Sequence, residues 1–361
     1  MAHSSIGFMF LIVSFLAAAC APGGAPTPQP DPSRAPAVPT TAAGLIRVPV
    51  AIGALSPLDY LPYEVAHAFK YFEAEGLDVN LRYAPGDAQA TGALPSGSVM
   101  FSAGSLEEAI RAQTQGKALK MIVVFARSPD VAVLVRSDLA DAIRSPADFK
   151  GKKLGVAAIG DGTHLLAAVL AAGAGLKAED YTVVAVGSGT MAAAFGRQSI
   201  DVGFISGPYV TQLLKSGKTV LLADLRTPAD TDKYLGGEFP SAGMFAAANT
   251  LQSRSDIAQK MVNALVKAQG YMRTHTAKEL AEALPDDVSG SDKQAWIDAY
   301  GASAGMYSSD GKATQSGVEN VVAAYRLFGA IKTDQKIDAA ALFDNSWVDK
   351  PREQTPGRSE R

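Results

Sequence analysis

Five short runs mix hydroxyl, carboxylate and glycine residues: Ser56-Pro57-Leu58-Asp59-Tyr60, Ser102-Ala103-Gly104-Ser105, Asp161-Gly162-Thr163-His164, Ser188-Gly189-Thr190 and Ser206-Gly207-Pro208-Tyr209. Hydroxyls donate and accept, carboxylates accept, and small residues at a helix start leave backbone N–H groups uncovered. That set suits hydrogen bonding to a small polar molecule: neutral hydroxyls and N–H groups fit a sulfonate, a carboxylate or a heterocycle. Asp59 and Asp161 instead fit a cationic or hydrogen-bond-donating one. Ser102 and Ser105 have helix capping as their alternative role, and His164 a satisfied structural one. Arg127 follows the apolar run 119–125; it either pairs with an acidic solute or forms an ion pair at a surface or hinge.

All five runs sit where a strand gives way to a helix. Residues 46–52 alternate as a strand, Leu61, Val65, Phe69 and Phe72 fall at helical spacing, and residues 77–83 alternate again. Pro62 suits the first turn of that helix and Gly76 its end. A short helix from Gly86 to Gly97, a strand and a helix over 106–115 follow, then apolar strands at 119–125 and 131–135. A second unit repeats the alternation: helix 165–172, strand 182–186, helix 191–196, strand 200–205 and helix 210–214. Its three strand-to-helix loops fall on one edge of one parallel sheet, the edge where ligands bind in such sheets. Further on, Ile257, Met261, Leu265 and Ala268 form one helical stripe, and Val318, Val321, Val322, Tyr325 and Leu327 another. Both read as core, as do Trp296, Tyr300 and Tyr307, whose other role would be lining a cleft.

The chain has 361 residues, 47% hydrophobic and 19% charged, enough core for two domains. A net charge of −3 gives no argument for nucleic acid as a partner. The single cysteine excludes a disulfide framework and cysteine-rich metal sites, and the four histidines, His3, His67, His164 and His275, are scattered without ligand spacing. No metal and no cofactor are therefore expected. Residues 8–19 form an apolar run too short to span a bilayer comfortably, ending in small residues before Cys20, so residues 1–19 read as a signal peptide. Leu16-Ala17-Ala18-Ala19-Cys20 resembles a bacterial lipobox, which makes Cys20 the lipidated first residue of the mature chain; simple cleavage near Ala19 is the alternative. Residues 20–44 are a proline-, alanine- and threonine-rich spacer, and the polar tail 351–361 reads as disordered.

The order of elements resembles the periplasmic solute-binding proteins of the nitrate, sulfonate, taurine and thiamine-precursor group of ABC importers. Ala66-His67-Ala68-Phe69-Lys70-Tyr71-Phe72-Glu73-Ala74-Glu75-Gly76-Leu77-Asp78-Val79 carries most of the likeness. Leu94-Pro95-Ser96-Gly97, Phe149-Lys150-Gly151-Lys152-Lys153-Leu154-Gly155-Val156 and Gly196-Arg197-Gln198-Ser199-Ile200-Asp201-Val202-Gly203-Phe204 add to it. The resemblance implies an α/β, two-lobed periplasmic-binding-protein fold of type II. Lobe one would hold 45–130 and 244–350, lobe two 131–243, with 130–135 and 242–247 as crossover strands and the solute in the cleft. It also implies hinge closure, an ABC permease and its ATPase as partners, attachment to the membrane through the lipid anchor in the periplasm or at the cell surface, a monomer, and no catalysis.

Two rivals remain: a sensor subunit that presents the same solute to a membrane receptor, and a secreted enzyme. Gly187-Ser188-Gly189-Thr190-Met191-Ala192 has the form G-x-G-x-x-A, but the next strand ends in Phe204-Ile205-Ser206 rather than in an acid. No G-x-S-x-G occurs. Some relatives of the resembled group are pyrimidine-precursor synthases with a cysteine-rich iron site, which one cysteine does not provide.

Overall fold

The computed structural model describes residues 40–41, 44–53, 58–332 and 334–350; Cys20, the leader before it, Ser56 and the tail 351–361 lie outside them. Among the described residues the strands are β1 (Ile46–Gly53), β2 (Leu77–Ala84), β3 (Phe101–Gly104), β4 (Leu119–Ala126), β5 (Val131–Arg136), β6 (Lys153–Val156), β7 (Thr182–Ala185), β8 (Val202–Ser206), β9 (Thr219–Asp224) and β10 (Ala242–Ala247). They form two five-stranded sheets, ordered β2-β1-β3-β10-β4 and β7-β6-β8-β5-β9. The chain thus leaves the first sheet after β4, builds the second, and returns as β10. Strands β5 and β10 run antiparallel to their neighbours, so both sheets are mixed rather than parallel throughout. The crossovers enter each sheet from the other lobe, which sets their opposite direction.

Helices α1 (Leu61–Ala68), α2 (Tyr71–Ala74), α3 (Asp87–Gly92) and α4 (Leu106–Thr114) belong with the first strands. Helices α5 (Gly162–Gly173), α6 (Met191–Gly196), α7 (Tyr209–Lys215) and α8 (Pro228–Leu235) alternate with the second set. After β10 come α9 (Ala248–Ser253), α10 (Ser255–Thr274), α11 (Ala277–Ala283), α12 (Asp286–Ser289), α13 (Lys293–Ser303) and α14 (Gln315–Leu327). The helix expected to run from Leu61 past Phe72 is two helices. Lys70 takes φ 55° at the junction, a left-handed conformation that no continuous helix admits. Gly76 follows with φ 79°, the residue type that this turn into β2 favours.

Strand β4 reads LKMIVVFA with seven of its eight residues buried, because helices or chain cover both of its faces. On one side Phe125 meets Tyr63 of α1 edge-on at 5.5 Å, within a cluster that includes Met261, Leu265 and Ala268 of α10. On the other side a single apolar cluster contains Met121 and Val124 of β4, Val133 of β5, Leu154 of β6, Leu165 and Leu166 of α5, and Val318, Val321 and Tyr325 of α14. That cluster spans both lobes. Helix α14 packs on α4 in the first lobe and on α5 in the second, and α13 touches α7, with the Lys215 ammonium on the Asp298 carboxylate. Leu327, expected in the core stripe, is 53% exposed because the stripe runs out as α14 ends. Among the described residues no helix is long and apolar enough to cross a membrane.

Candidate functional site

Strands β6, β7 and β8 are mutually parallel, so the loops that follow them share an edge of the second sheet, and the loops after β2 and β3 approach from the first. Between them lies a cavity of about 410 Å³. Its floor is the crossover pair, Pro129-Asp130-Val131 and Phe239-Pro240-Ser241, and α14 contributes Val321 and Tyr325. The two residues that read as core therefore also line the site.

Asp161 shapes the second-lobe wall. Its Oδ1 accepts the His164 N–H at 2.9 Å and the Thr163 hydroxyl at 2.7 Å, while Oδ2 accepts the Ala158 N–H at 3.0 Å. It is the N-cap of α5, an arrangement that contributes about 1 kcal/mol. Thr163 Oγ1 in turn accepts the Ala157 N–H at 2.9 Å. Gly162, Ser188 and Ser206 complete this wall.

Asp87 shapes the first-lobe wall, and the sequence reading missed it. It opens α3 directly after β2, wedged against the ends of β1 and β3. A Cβ on Gly53 would lie 1.9 Å from its Oδ1, and one on Gly104 would lie 3.5 Å from its Cβ. The missing side chain of Gly53 therefore creates the space for this carboxylate, while the distance at Gly104 is an ordinary van der Waals contact. Asp87 accepts the Tyr60 hydroxyl at 2.6 Å and the Ser105 N–H at 2.9 Å. The uncovered N–H expected before α4 is thus occupied by the protein's own anion. Burial pushes the Asp87 carboxyl up, and these two donors pull it back.

Beside Asp87 stands Asp59, whose Oδ1 is buried without a hydrogen-bond partner. Burial holds its carboxyl well above the usual range, with Asp130 and then Asp87 adding to the effect. Asp130 accepts the Ser303 hydroxyl at 3.0 Å. Glu107 and Glu108 of α4 also line the cavity; Glu108 is pushed up to about 7, chiefly by burial, with Arg111 opposing. Arg111 is the only basic residue among the described lining, and both its carboxylate neighbours are on its own helix: Glu107, and Glu108 at 3.7 Å. Glu107 also accepts the Tyr325 hydroxyl at 2.5 Å.

Asp59, Tyr60, Ser105, Asp161, Gly162, Thr163, Ser188 and Ser206 are therefore brought to one cavity. Five other candidates are not. Ser102 is fully buried within β3, paired with Ala51 and Phe245. Thr190 turns its hydroxyl back to the carbonyls of Val186 and Gly187, and Tyr209 is 40% exposed with its hydroxyl near Gly189. Arg127 is bound to Glu238 at 3.0 Å and to Asp310, so it serves an ion pair rather than the cavity. His164 accepts the Gly160 N–H and packs edge-on against Phe328 at 4.8 Å. Tyr307 donates to the Leu58 carbonyl at 2.7 Å, and Tyr300 stacks on Trp296 at 5.2 Å; the two tyrosines line a separate cavity of about 380 Å³. The residues missed, Asp87, Glu107, Glu108, Arg111 and Asp130, carried one faint signal: Asp87 and Asp130 stand within four residues of a strand end. Among the described residues no group of histidine, cysteine and carboxylate side chains is arranged to hold a metal ion.

Comparison with known proteins places this geometry. A riboflavin-binding protein of Chloroflexus aurantiacus is 27% identical over 180 residues, 49% of this chain and 50% of the relative, so the chain spans about half the length of that curated relative. A solved structure from Bordetella bronchiseptica is 28% identical and superposes with a TM-score of 0.70, covering 84% of this chain and 96% of that one. The alkanesulfonate-binding protein of Xanthomonas axonopodis pv. citri, solved with MOPS, shares the fold at 20% identity, with a TM-score of 0.58 over 82% of this chain and 97% of that one. These neighbours have the two-lobed periplasmic-binding-protein fold described above. Residues 58–278 match the family model described as NMT1/THI5 like, and on that match, which covers more than half of its length, this chain belongs to the NMT1/THI5-like family.

Proposed function

We propose that this chain is an extracytoplasmic solute-binding protein. It captures a small organic solute in the 410 Å³ cavity by hinge closure and delivers it to an ABC import permease and its ATPase. Lobe one comprises 45–130 and 244–350, lobe two 131–243, and lipidated Cys20 with the 20–44 spacer tethers the protein, as a monomer, to the membrane in the periplasm or at the cell surface. The observation that carries this reading is the convergence of strand-end loops from both sheets, with both crossovers, on one cavity. Such a site holds its ligand tightest when both walls touch it, and only the closed state docks productively on the permease. The binding residues are Asp59, Tyr60, Asp87, Ser105, Thr163, Ser188 and Ser206, with Asp161 and Gly162 shaping the wall.

Among sulfonate, carboxylate and heterocycle, the heterocycle fits best. Among the described lining residues six carboxylates face one arginine already held by two of them, which disfavours an anion. Leu165, Leu166, Phe239 and Val321 supply apolar surface for a ring. Solute released by denaturing the purified protein is to be identified by mass spectrometry, beside a thermal-shift screen of sulfonates, nitrate, aromatic acids and pyrimidines. The expected result is an unaltered heterocycle and a raised melting temperature with it. Chemical conversion of the solute on incubation, or stabilisation by sulfonates or nitrate alone, overturns the reading.

A further inference from the structure

We infer that Asp59 is a cation subsite: the solute carries a protonated nitrogen, an ammonium or amidinium group, that seats on the half-buried Asp59 carboxylate. This deepens the function proposed above and rests on it. Of the six carboxylates on the cavity, Asp161 caps α5, Asp87 holds Tyr60 and Ser105, Asp130 holds the Ser303 hydroxyl, and Glu107 and Glu108 flank Arg111. Asp59 differs from all of these. Its Oδ1 lies buried at the cavity with no partner, and a buried acceptor left unpaired costs free energy that a donor on the ligand would recover.

Charge gives the donor its sign. Asp130 and Asp87 act on Asp59 through space, and among the described lining residues the one basic group, Arg111, is held by Glu107 and Glu108. A neutral N–H would fill the vacant acceptor, but only a positive nitrogen also stabilises the charged form of a carboxyl that burial and two neighbouring aspartates hold toward its protonated form. The heterocyclic body would lie against Leu165 and Leu166, leaving its charged group toward the first lobe.

Benzamidine, benzamide and benzoate share one ring and one shape while carrying charges of +1, 0 and −1, and calorimetry on the full chain with these three probes tests the inference. Benzamidine should bind about tenfold or more tighter than benzamide, and benzoate weakest. Asp59→Asn should weaken benzamidine about tenfold or more and leave benzamide within about threefold; far-UV circular dichroism reports folding, and Asp130→Asn, if Asp59→Asn does not fold, should show the same bias. Gly162→Trp, whose new Cβ meets nothing within 4 Å, fills the cavity mouth and should abolish binding of the tightest probe. Benzoate binding as tightly as benzamidine or tighter, and abolished by Gly162→Trp, overturns the cation subsite and leaves the cavity in place. Benzamidine binding indifferent to Asp59→Asn, or no benzamidine binding at all, also overturns the subsite. Probe binding indifferent to Gly162→Trp overturns the cavity as the site.

Discussion

Glu108→Gln should make the protein less sensitive to alkali. The Glu108 side chain is 6% exposed, and burial pushes its carboxyl from 4.5 up to about 7 despite the opposing Arg111. The folded state therefore holds this proton more tightly than the unfolded chain does. Below pH 4.5 both states are protonated and the residue contributes no pH dependence; as pH rises toward 7 stability falls, and above 7 the loss is complete. Over that window, at about 1.4 kcal/mol per pH unit, the loss is about 3 kcal/mol. Glutamine keeps the shape and the acceptor for the Thr91 hydroxyl, 3.1 Å away, and does not titrate. Urea unfolding of both proteins from pH 4.5 to 8 is the assay. Their stabilities should separate by about 3 kcal/mol in the variant's favour between pH 4.5 and 7, then run parallel. Curves that stay parallel from pH 4.5 to 7 would refute the burial argument.

Other perturbations bear on the same architecture. Gly53→Ala places a methyl group where Asp87 Oδ1 sits, so stability should fall by about 1–3 kcal/mol in urea unfolding and a crystal structure should show the Tyr60–Asp87 bond broken. Arg127→Ala should cost about 1–2 kcal/mol in the same assay, since Glu238 and Asp310 lose their shared partner, while calorimetric affinity for benzamidine stays unchanged. Tyr325→Phe removes the 2.5 Å bond from α14 to Glu107 on α4; a loss of about 1–3 kcal/mol is expected, and faster hydrogen exchange in α14 would locate it. Gly243→Ala should be among the most damaging single changes in β10, because its Cβ would lie 2.4 Å from the Val123 carbonyl; loss of soluble folded protein on expression is the readout.

Periodicity made the alternation of strands and helices legible, and loops dense in glycine, serine and aspartate marked strand ends where Asp59, Tyr60, Thr163, Ser188 and Ser206 converge. What it could not convey is which loop faces which. Thr190 and Tyr209 carry hydroxyls as Ser188 and Ser206 do, two and three residues further along, and that step carries them off the cavity. Asp87 reads in sequence as an ordinary helix start; its role depends on Gly53, Tyr60 and Ser105, which are distant from it in the chain and reach it only once β1, β2 and β3 pair. Arg127 likewise finds Glu238 and Asp310, residues 111 and 183 positions away, and no local pattern announces such partners. The break at Lys70 escaped because the apolar spacing of Leu61, Val65, Phe69 and Phe72 continues across it.

The place of β10 between β3 and β4 bears on how the chain is made. During synthesis the first lobe's strands emerge in order, yet β3 and β4 share no direct pairing in the finished sheet; each pairs with β10. Until residue 247 has left the ribosome, β3 and β4 each present a bare edge of unpaired backbone groups. The second lobe, contiguous from β5 to β9, meets no such delay. The lobe that starts first is thus the one that finishes last, and the interval between is when this chain is most exposed to mispairing with its neighbours.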